Sequence, residues 1–315
     1  MELFINGLLV IVGLALLCFG GNWLVTGGVV IAKKIGISQL VIGMTVVAYG
    51  TSTPELAASI AAAGEHGDII LGNIVGSNIA NVGMVIGIAS ILIPLAVSKT
   101  TLRKEIPIMI GISLLLIGLS IDGELSQYDG MIFLVAMIAF SIFTYRDIQK
   151  HRDTNRNATD EKNSNKNNVY LKSFGLIGIG ISLLYVGAIL TVDNAVALAQ
   201  SLGISERIIG LTVIAIGTSL PELITSVIAI KKGHTDIGVG NIIGSNIYNI
   251  LMIMGVAATI ASITVSTQVL FDYVIMIGFS LTLLVAIKFG VINRTMGIFL
   301  TMGYVAYLAF AFFMP

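Results

Sequence analysis

The sequence predicts an all-α integral membrane protein of ten transmembrane helices, built as two inverted-topology five-helix repeats. Three observations lead there. Hydrophobic residues make up 56% of the 315-residue chain and charged residues only 11%, with a mean hydropathy of +0.98, whereas a soluble domain carries roughly a quarter charged residues. A bilayer-spanning helix needs about 20 mostly apolar residues, and about ten such stretches follow one another between short polar breaks. A third feature is internal: two segments of the first half recur in the second.

The stretches fall roughly at 3–31, 38–63, 69–95, 104–121, 128–147, 170–200, 206–231, 236–262, 270–289 and 294–314. The first follows Glu2 rather than a basic region and lacks a small-residue cleavage site, so it reads as a retained helix and not a signal peptide. Cys18, the single cysteine, lies within it, which excludes an internal disulfide framework and suggests a packed structural thiol. With ten spans, sixteen of the seventeen Lys+Arg fall on one side and Arg207 alone on the other. The positive-inside rule then places those loops in the cytoplasm and both termini outside.

Residues 151–168, HRDTNRNATDEKNSNKNN, are the one low-complexity polar segment, too short to fold as a domain. They divide the chain into a first repeat at 1–148, a cytoplasmic linker at 149–169 and a second repeat at 170–315. Asn157-Ala158-Thr159 matches a glycosylation acceptor, silent on the cytoplasmic side. Seventeen Lys+Arg balance seventeen Asp+Glu without an extended basic face, so nucleic acid is not an expected partner.

The repeat is GMTVVAYGTSTPELAASIAAA at 43–63 against GLTVIAIGTSLPELITSVIAI at 210–230, with 12 identities in 21 positions. GNIVGSNIANVG at 72–83 matches GNIIGSNIYNIL at 240–251 at 8 of 12, and IGIS at 35–38 matches LGIS at 202–205. Five helices per half is an odd number, so the second copy enters the membrane from the opposite side. Such inverted repeats typify secondary transporters, with substrate held between the halves near the midplane.

Glu55 and Glu222 stand about 17 residues into their apolar stretches, where an ionisable group costs at least about 2.5–3.5 kcal/mol and marks function by default. Pro54 and Pro221 precede them and cannot donate to the carbonyls of Gly50 and Gly217, four residues back. Thr51 and Thr218 lie i,i+4 to the glutamates, on one face if the helix persists, and Ser52 and Ser219 lie i,i+3. The second element sets Ser77 with Asn81, and Ser245 with Asn249, at i,i+4. Gly76 and Gly244 suit close packing, and Asn73, Asn78, Asn241 and Asn246 suit interhelical hydrogen bonds as well as ligation. Every candidate ligand is an oxygen, which points to a hard cation, and mixed flexible coordination favours calcium over magnesium. Two carboxylates neutralise one Ca²⁺. Sodium ions in the same cage would compete for them, and mutually exclusive occupancy is what exchange requires.

GTSTPE at 50–55 and GTSLPE at 217–222, each followed by a GNI.GSNI.N segment, resemble the two alpha-repeats of the sodium/calcium exchanger family. The resemblance covers the whole length and looks prokaryotic in type. It implies Ca²⁺ ligands at Glu55, Glu222, Thr51 and Thr218, and sodium subsites that add Ser52, Ser219, Ala48, Ala215, Ser77, Ser245, Asn81 and Asn249. Ca²⁺ and Na⁺ would be transported substrates, with no resident cofactor and a monomer as the functional unit. Relatives often carry aspartate at the position of Asn249, which resembles the potassium determinant of one branch, so Asn249 argues against potassium coupling. Thr53 stands where a hydrophobic residue is more usual. Proton/calcium exchangers of the same superfamily typically show G-N-x-x-E at the glutamate, so GTSxPE favours sodium as the counter-ion; the expected stoichiometry is three Na⁺ per Ca²⁺, electrogenic by one charge.

The resemblance further implies that helices one and six slide across the other eight. Gly20, Gly21, Gly27 and Gly28, with Gly175, Gly178, Gly180 and Gly187, give them smooth faces. A proton/calcium antiporter using the same glutamates is the alternative reading, and a channel is a second. An intramembrane enzyme is disfavoured: there is no HExxH, paired-aspartate or serine-histidine motif, and His66, His151 and His234 fall in predicted loops. Glu65, His66 and Asp68 form a solvated loop able to attract cations.

Overall fold

The structure is a computed structural model that describes residues 2–63, 67–98, 101–155, 166–203 and 215–313. The chain is helical nearly throughout, as it must be where no water satisfies the backbone. We number the helices α1 (Glu2–Ile35), α2 (Gln39–Thr51), α3 (Thr53–Ala62), α4 (67–92), α5 (101–119), α6 (Gln127–Asn155), α7 (Lys166–Ser201), α8 (Ala215–Thr218), α9 (Leu220–Lys231), α10 (Thr235–Ile260), α11 (Thr267–Phe289) and α12 (Arg294–Phe313). Six of the described helices contain stretches long and apolar enough to cross a membrane, and shorter apolar helices occur at Gln39–Thr51 and Val269–Val285. The fold is all-α and membrane-embedded.

Burial separates the helices into two layers. The apolar windows of α4 and α10 are each 83% buried, against 17–33% for those of α1, α6, α7 and α12. α4 and α10 therefore form the centre, and the others turn Phe4, Tyr128, Val135, Phe174 and Phe299 outward toward lipid. A single large cluster joins Ile74, Ile79 and Val85 of α4 to Ile243, Ile247 and Leu251 of α10. α6 packs along the second half of α10, and α12 along the second half of α4. Each half of the chain thus places its last helix on the other half, so the two are intertwined rather than separate globules.

Two short antiparallel pairs complete the exchange. β1 (Leu95–Ala96) pairs with β4 (Val291–Ile292), and β2 (Glu124–Leu125) pairs with β3 (Ile263–Thr264). Each pair takes one strand from either half. The helix ends follow the repeat as well: Gly36 after α1 (φ 74°) and Gly203 after α7 (φ 76°) both adopt a left-handed conformation that only glycine enters without cost.

α1 and α7 pack against each other along glycines spaced seven residues apart. A Cβ on Gly13 would meet Gly187 and Thr191, one on Gly20 would lie 2.8 Å from the Gly180 carbonyl, and one on Gly27 would lie 2.8 Å from the Ser173 carbonyl. Seven residues make two turns, so one stripe of the helix stays in register with its partner. Gly21 and Gly28 point elsewhere, toward Thr225 of α9 and toward Ile42 and Val47 of α2. Gly175 and Gly178 have nothing within 4 Å of an added Cβ and take no part in the contact.

Several sequence expectations change. Cys18 is exposed rather than packed, because Gly13, Leu17 and Gly20 occupy the inward face of α1 and leave residue 18 outside. α6 continues to Asn155 and α7 begins at Lys166, so both ends of the 149–169 segment are helical and His151 lies in a helix rather than a loop. Polar residues beyond the apolar stretch extend the helix where water can solvate it. The acceptor at Asn157, Arg207, the first part of the 206–231 stretch, and Glu65 with His66 lie outside the described residues, as does the side chain of Asp68.

The glycine stripe makes a direct prediction. Gly20→Ala forces Cβ into backbone and should lower stability by about 1–3 kcal/mol, as overpacking does. Gly178→Ala on the open side of α7 should be neutral or slightly stabilising. Thermal unfolding of the detergent-solubilised variants measures the contrast.

Candidate ion-binding site

Each GTSxPE segment interrupts its helix at the serine. Ser52 (φ −86°, ψ 13°) separates α2 from α3, and Ser219 (φ −90°, ψ 3°) separates α8 from α9. The cause is the proline two residues on, which supplies no N–H and collides with the preceding turn. The shared face of Thr51 with Glu55 is conditional on a persisting helix, and the helix is interrupted at Ser52 between them. In its place Glu55 and Glu222 occupy the first turns of α3 and α9, where the helix dipole favours a negative charge. The carbonyls ending α2 and α8 face the same junction and favour a cation. Gly50 and Gly217 both abut α7, with an added Cβ meeting Ile181 and Val192.

The breaks are held against α4 and α10 at a second irregularity. α4 widens into a π-helical turn at Asn81–Ile86, and α10 does so at Asn249–Met254. Both turns begin on a candidate ligand. α3 packs against the π turn of α10, and α9 against that of α4. Tyr49 and Tyr248 stack beside the junction with ring centroids 4.5 Å apart.

Around these breaks the predicted residues converge. Ser52 Oγ donates to Glu222 Oε1 at 2.8 Å, and Ser245 Oγ reaches the same oxygen at 3.4 Å. Thr51 Oγ1 donates to Asn241 Oδ1 at 3.1 Å and to the Ala48 carbonyl at 3.2 Å. Ala48, Thr51, Ser52, Glu55, Ser77, Asn81, Ser219, Glu222, Ser245 and Asn249 are all buried. Thr218 closes α8 and is half-buried, and Ala215 begins that helix.

Buried side-chain oxygens are nearly always hydrogen-bonded. Among the described residues, Glu55 Oε2, Ser77 Oγ, Asn81 Oδ1, Ser219 Oγ, Glu222 Oε2 and Asn249 Oδ1 are buried without such a partner. All six belong to the predicted ligand set. The only others are Thr225 Oγ1 and Thr301 Oγ1. Each such atom costs about 1–3 kcal/mol unless something meets it, and these six lie on the helix breaks and on the α4 and α10 segments packed against them. The two halves differ: Glu222 is bonded by Ser52 and Ser245, whereas the counterparts Ser219 and Ser77 are unbonded.

Two supporting residues, Ser59 and Ser226, were not singled out from sequence. Asn241 Nδ2 donates to Ser226 Oγ at 3.0 Å and to the Glu222 carbonyl at 3.5 Å, and Asn73 Nδ2 donates to Ser59 Oγ at 3.3 Å, so these asparagines make the hydrogen bonds expected of them. Ser59 and Ser226 are identical positions of the repeat, which was a usable signal. Thr53 also gains an explanation: its hydroxyl donates to the Tyr49 carbonyl at 2.9 Å, a bond that Leu220, its counterpart, has no group to make. Gly244 serves packing as expected, since an added Cβ would strike the Met44 backbone, whereas Gly76 has nothing within 4 Å of an added Cβ and makes no such close contact.

The model for the sodium/calcium exchanger protein family matches twice, at residues 5–146 and 172–313. The chain belongs to the sodium/calcium exchanger family. It is 36% identical to the inner membrane protein YrbG of Escherichia coli, covering 97% of this chain and 96% of that one. It is 34% identical to the sodium/calcium exchanger MaX1 of Methanosarcina acetivorans, covering 98% and 99%. A solved structure of the sodium-calcium exchanger NCX_Mj, soaked with Na⁺ and Sr²⁺, superposes with a TM-score of 0.84 at 32% identity, covering 98% of this chain and 99% of that one. The family consists of transporters, not enzymes.

Asn241 gives this site a structural test that needs no ion. Asn241→Leu strands Ser226 Oγ and leaves Thr51 only its Ala48 carbonyl partner, and should cost about 1–3 kcal/mol. A melting temperature unchanged from the parent protein would refute that account.

Proposed function

We propose that this cation/Ca²⁺ antiporter exchanges Na⁺ for Ca²⁺ by alternating access, with three Na⁺ per Ca²⁺ and without potassium. The observation that carries the reading is a set of six unpartnered buried oxygens, one on each of the carboxylates of Glu55 and Glu222 and four on Ser77, Asn81, Ser219 and Asn249. One Ca²⁺ neutralises both carboxylates, and sodium ions need the same oxygens, so the two loads exclude each other. Ca²⁺ is held by Glu55 and Glu222 with Thr51 and Thr218. Sodium draws on Ser52, Ser219, Ala48, Ala215, Ser77, Ser245, Asn81 and Asn249. Oxygen donors of this kind suit both ions. Asn249 brings no further charge into the cage, in keeping with independence from potassium.

The architecture proposed for this cycle is ten spans in two inverted halves, in the cell membrane, with both termini outside and one chain as the working unit. The twofold family match and the exchanged strand pairs favour it. β1 and β2 are separated by the single helix α5, and β3 and β4 by α11, so β1 with β4 caps one end and β2 with β3 the other. α1 and α7 move as a pair past the remaining helices.

⁴⁵Ca²⁺ uptake into proteoliposomes tests the reading. Uptake should require internal Na⁺, proceed equally well without K⁺, and vanish in Glu55→Gln and Glu222→Gln. Each cycle moves one net positive charge outward with sodium, worth about 2.3 kcal/mol per 100 mV across the full field, so an inside-positive potential should speed uptake. Electroneutral uptake would reject the stoichiometry. Uptake driven by a pH gradient without sodium would make the protein a proton antiporter, and equal uptake under every loading would make it a channel.

A further inference from the structure

Four asparagines from the two GSNI.N segments meet where α4 crosses α10. Asn249 Nδ2 donates to Asn78 Oδ1 at 3.0 Å, and Asn81 Nδ2 donates to Asn246 Oδ1 at 2.9 Å. The bonds are crossed: in each, the donor comes from one repeat and the acceptor from the other. Both donors are candidate ligands, and the remaining amide atom of each, Asn81 Oδ1 and Asn249 Oδ1, is buried without a partner. Both acceptors lie outside the ligand set.

We propose that Asn78 and Asn246 are positioning residues, which tie down the amide nitrogens of Asn249 and Asn81 so that both amide oxygens are presented to the transported ions. The inference rests on the functional reading above. A carboxamide has one donor end and one acceptor end of nearly equal size, and its orientation is settled only by its neighbours. A cation meets attraction from the oxygen and repulsion from the NH₂, so a free amide would be a poor ligand half of the time.

The acceptors are themselves fixed. Asn78 Nδ2 is spent on the Asn246 carbonyl at 3.3 Å and lies 3.9 Å from Met276 Sδ, while Asn246 Nδ2 is directed at Met109 Sδ at 3.5 Å. Turning either amide over would set donor against donor. All four residues are buried, so no water relieves the mismatch. The pairing also matches the residue type at 249. An aspartate there has no N–H to give and would face the Asn78 oxygen with another acceptor, so a neutral amide at 249 and an acceptor at 78 go together.

The test is a pair of double-mutant cycles read as the apparent KM for Na⁺ and the maximal rate in proteoliposomes. Asn249→Ala should raise the Na⁺ KM about tenfold, and Asn78→Ala should produce a rise of similar size with a maximal rate within about twofold of the parent. The double variant Asn78→Ala/Asn249→Ala should be no worse than Asn249→Ala, because a positioning residue has nothing left to position. Asn246→Ala and Asn81→Ala should behave in the same way, and this second cycle carries the test if Asn78→Ala does not fold. Multiplicative losses within either crossed pair would overturn the proposal. A lowered melting temperature with unchanged KM would also overturn it, by reducing these residues to structural ones. If Asn249→Ala and Asn81→Ala both leave ion affinities unaltered while Glu222→Gln abolishes transport, the asparagines are not ligands and the proposal fails although the exchanger reading stands. Retained transport in Glu222→Gln would instead sink that reading.

Discussion

In a membrane interior every polar group must find its partner inside the protein, and among the described residues six of the eight buried side-chain oxygens that lack one belong to the candidate ligands, the others being on Thr225 and Thr301. Around Ser52 and Ser219 two helices are broken, two carboxylates are buried and six side-chain oxygens have no hydrogen bond. The rest of the fold is arranged so that this exception can exist. α4 and α10 are the most buried spans because they wall the cage, and the breaks dock on the π turns that begin at Asn81 and Asn249. A π turn lets one residue of a straight rod face a direction that a regular helix would deny it, and such turns concentrate at functional sites.

The two halves are alike in layout and different in bonding. Each contributes a serine, a glutamate and a second serine at corresponding positions, yet Glu222 takes hydrogen bonds from Ser52 and Ser245 while Ser219 and Ser77 make none. Ser52 belongs to one repeat and Glu222 to the other. Their bond therefore closes the cage across the boundary between the halves, as do the bonds from Thr51 to Asn241 and from Asn249 to Asn78. The site belongs to neither repeat alone, in keeping with the crossing of α6 and α12 onto the opposite half.

Much of this was legible before any coordinates. Apolar length marked the membrane helices, and a proline before a glutamate in duplicate marked the breaks, since both signals are local. The convergence of Glu55, Ser52 and Glu222 was legible only because the repeat advertised it. What escaped were consequences of packing. The outward face of Cys18 depended on which stripe of α1 meets α7, and the π turns leave no compositional trace. Sequence spacing already set Asn81 and Asn249 apart from Asn78 and Asn246, but not which asparagine bonds which. The structure adds the crossed pairing, with Asn81 and Asn249 donating and their own amide oxygens left without a partner.

The alternating-access reading requires one body to move while the cage stays whole, and the distribution of glycines provides for both. Gly13, Gly20 and Gly27 of α1 bring its backbone against that of α7, and two helices in backbone contact along three paired levels can be expected to travel as one. Toward the core the same two helices offer a different surface. Gly21 meets Thr225, Gly28 meets Ile42, and on the core side Gly50 and Gly217 are small where Ile181 and Val192 of α7 press against the two breaks. Contacts of this second kind are side chain against glycine, with few hydrogen bonds to surrender, and they interdigitate less than two rows of large side chains would. The exception is Lys232, whose ammonium reaches from the end of α9 to Thr26 Oγ1 at 2.9 Å and to the Asn22 carbonyl at 3.4 Å on α1. It is an exposed contact, and water replaces such bonds at little cost. On that reading, movement of α1 and α7 would leave the bonds among Ser52, Glu222, Ser245 and the four asparagines intact, because none of these residues belongs to α1 or α7.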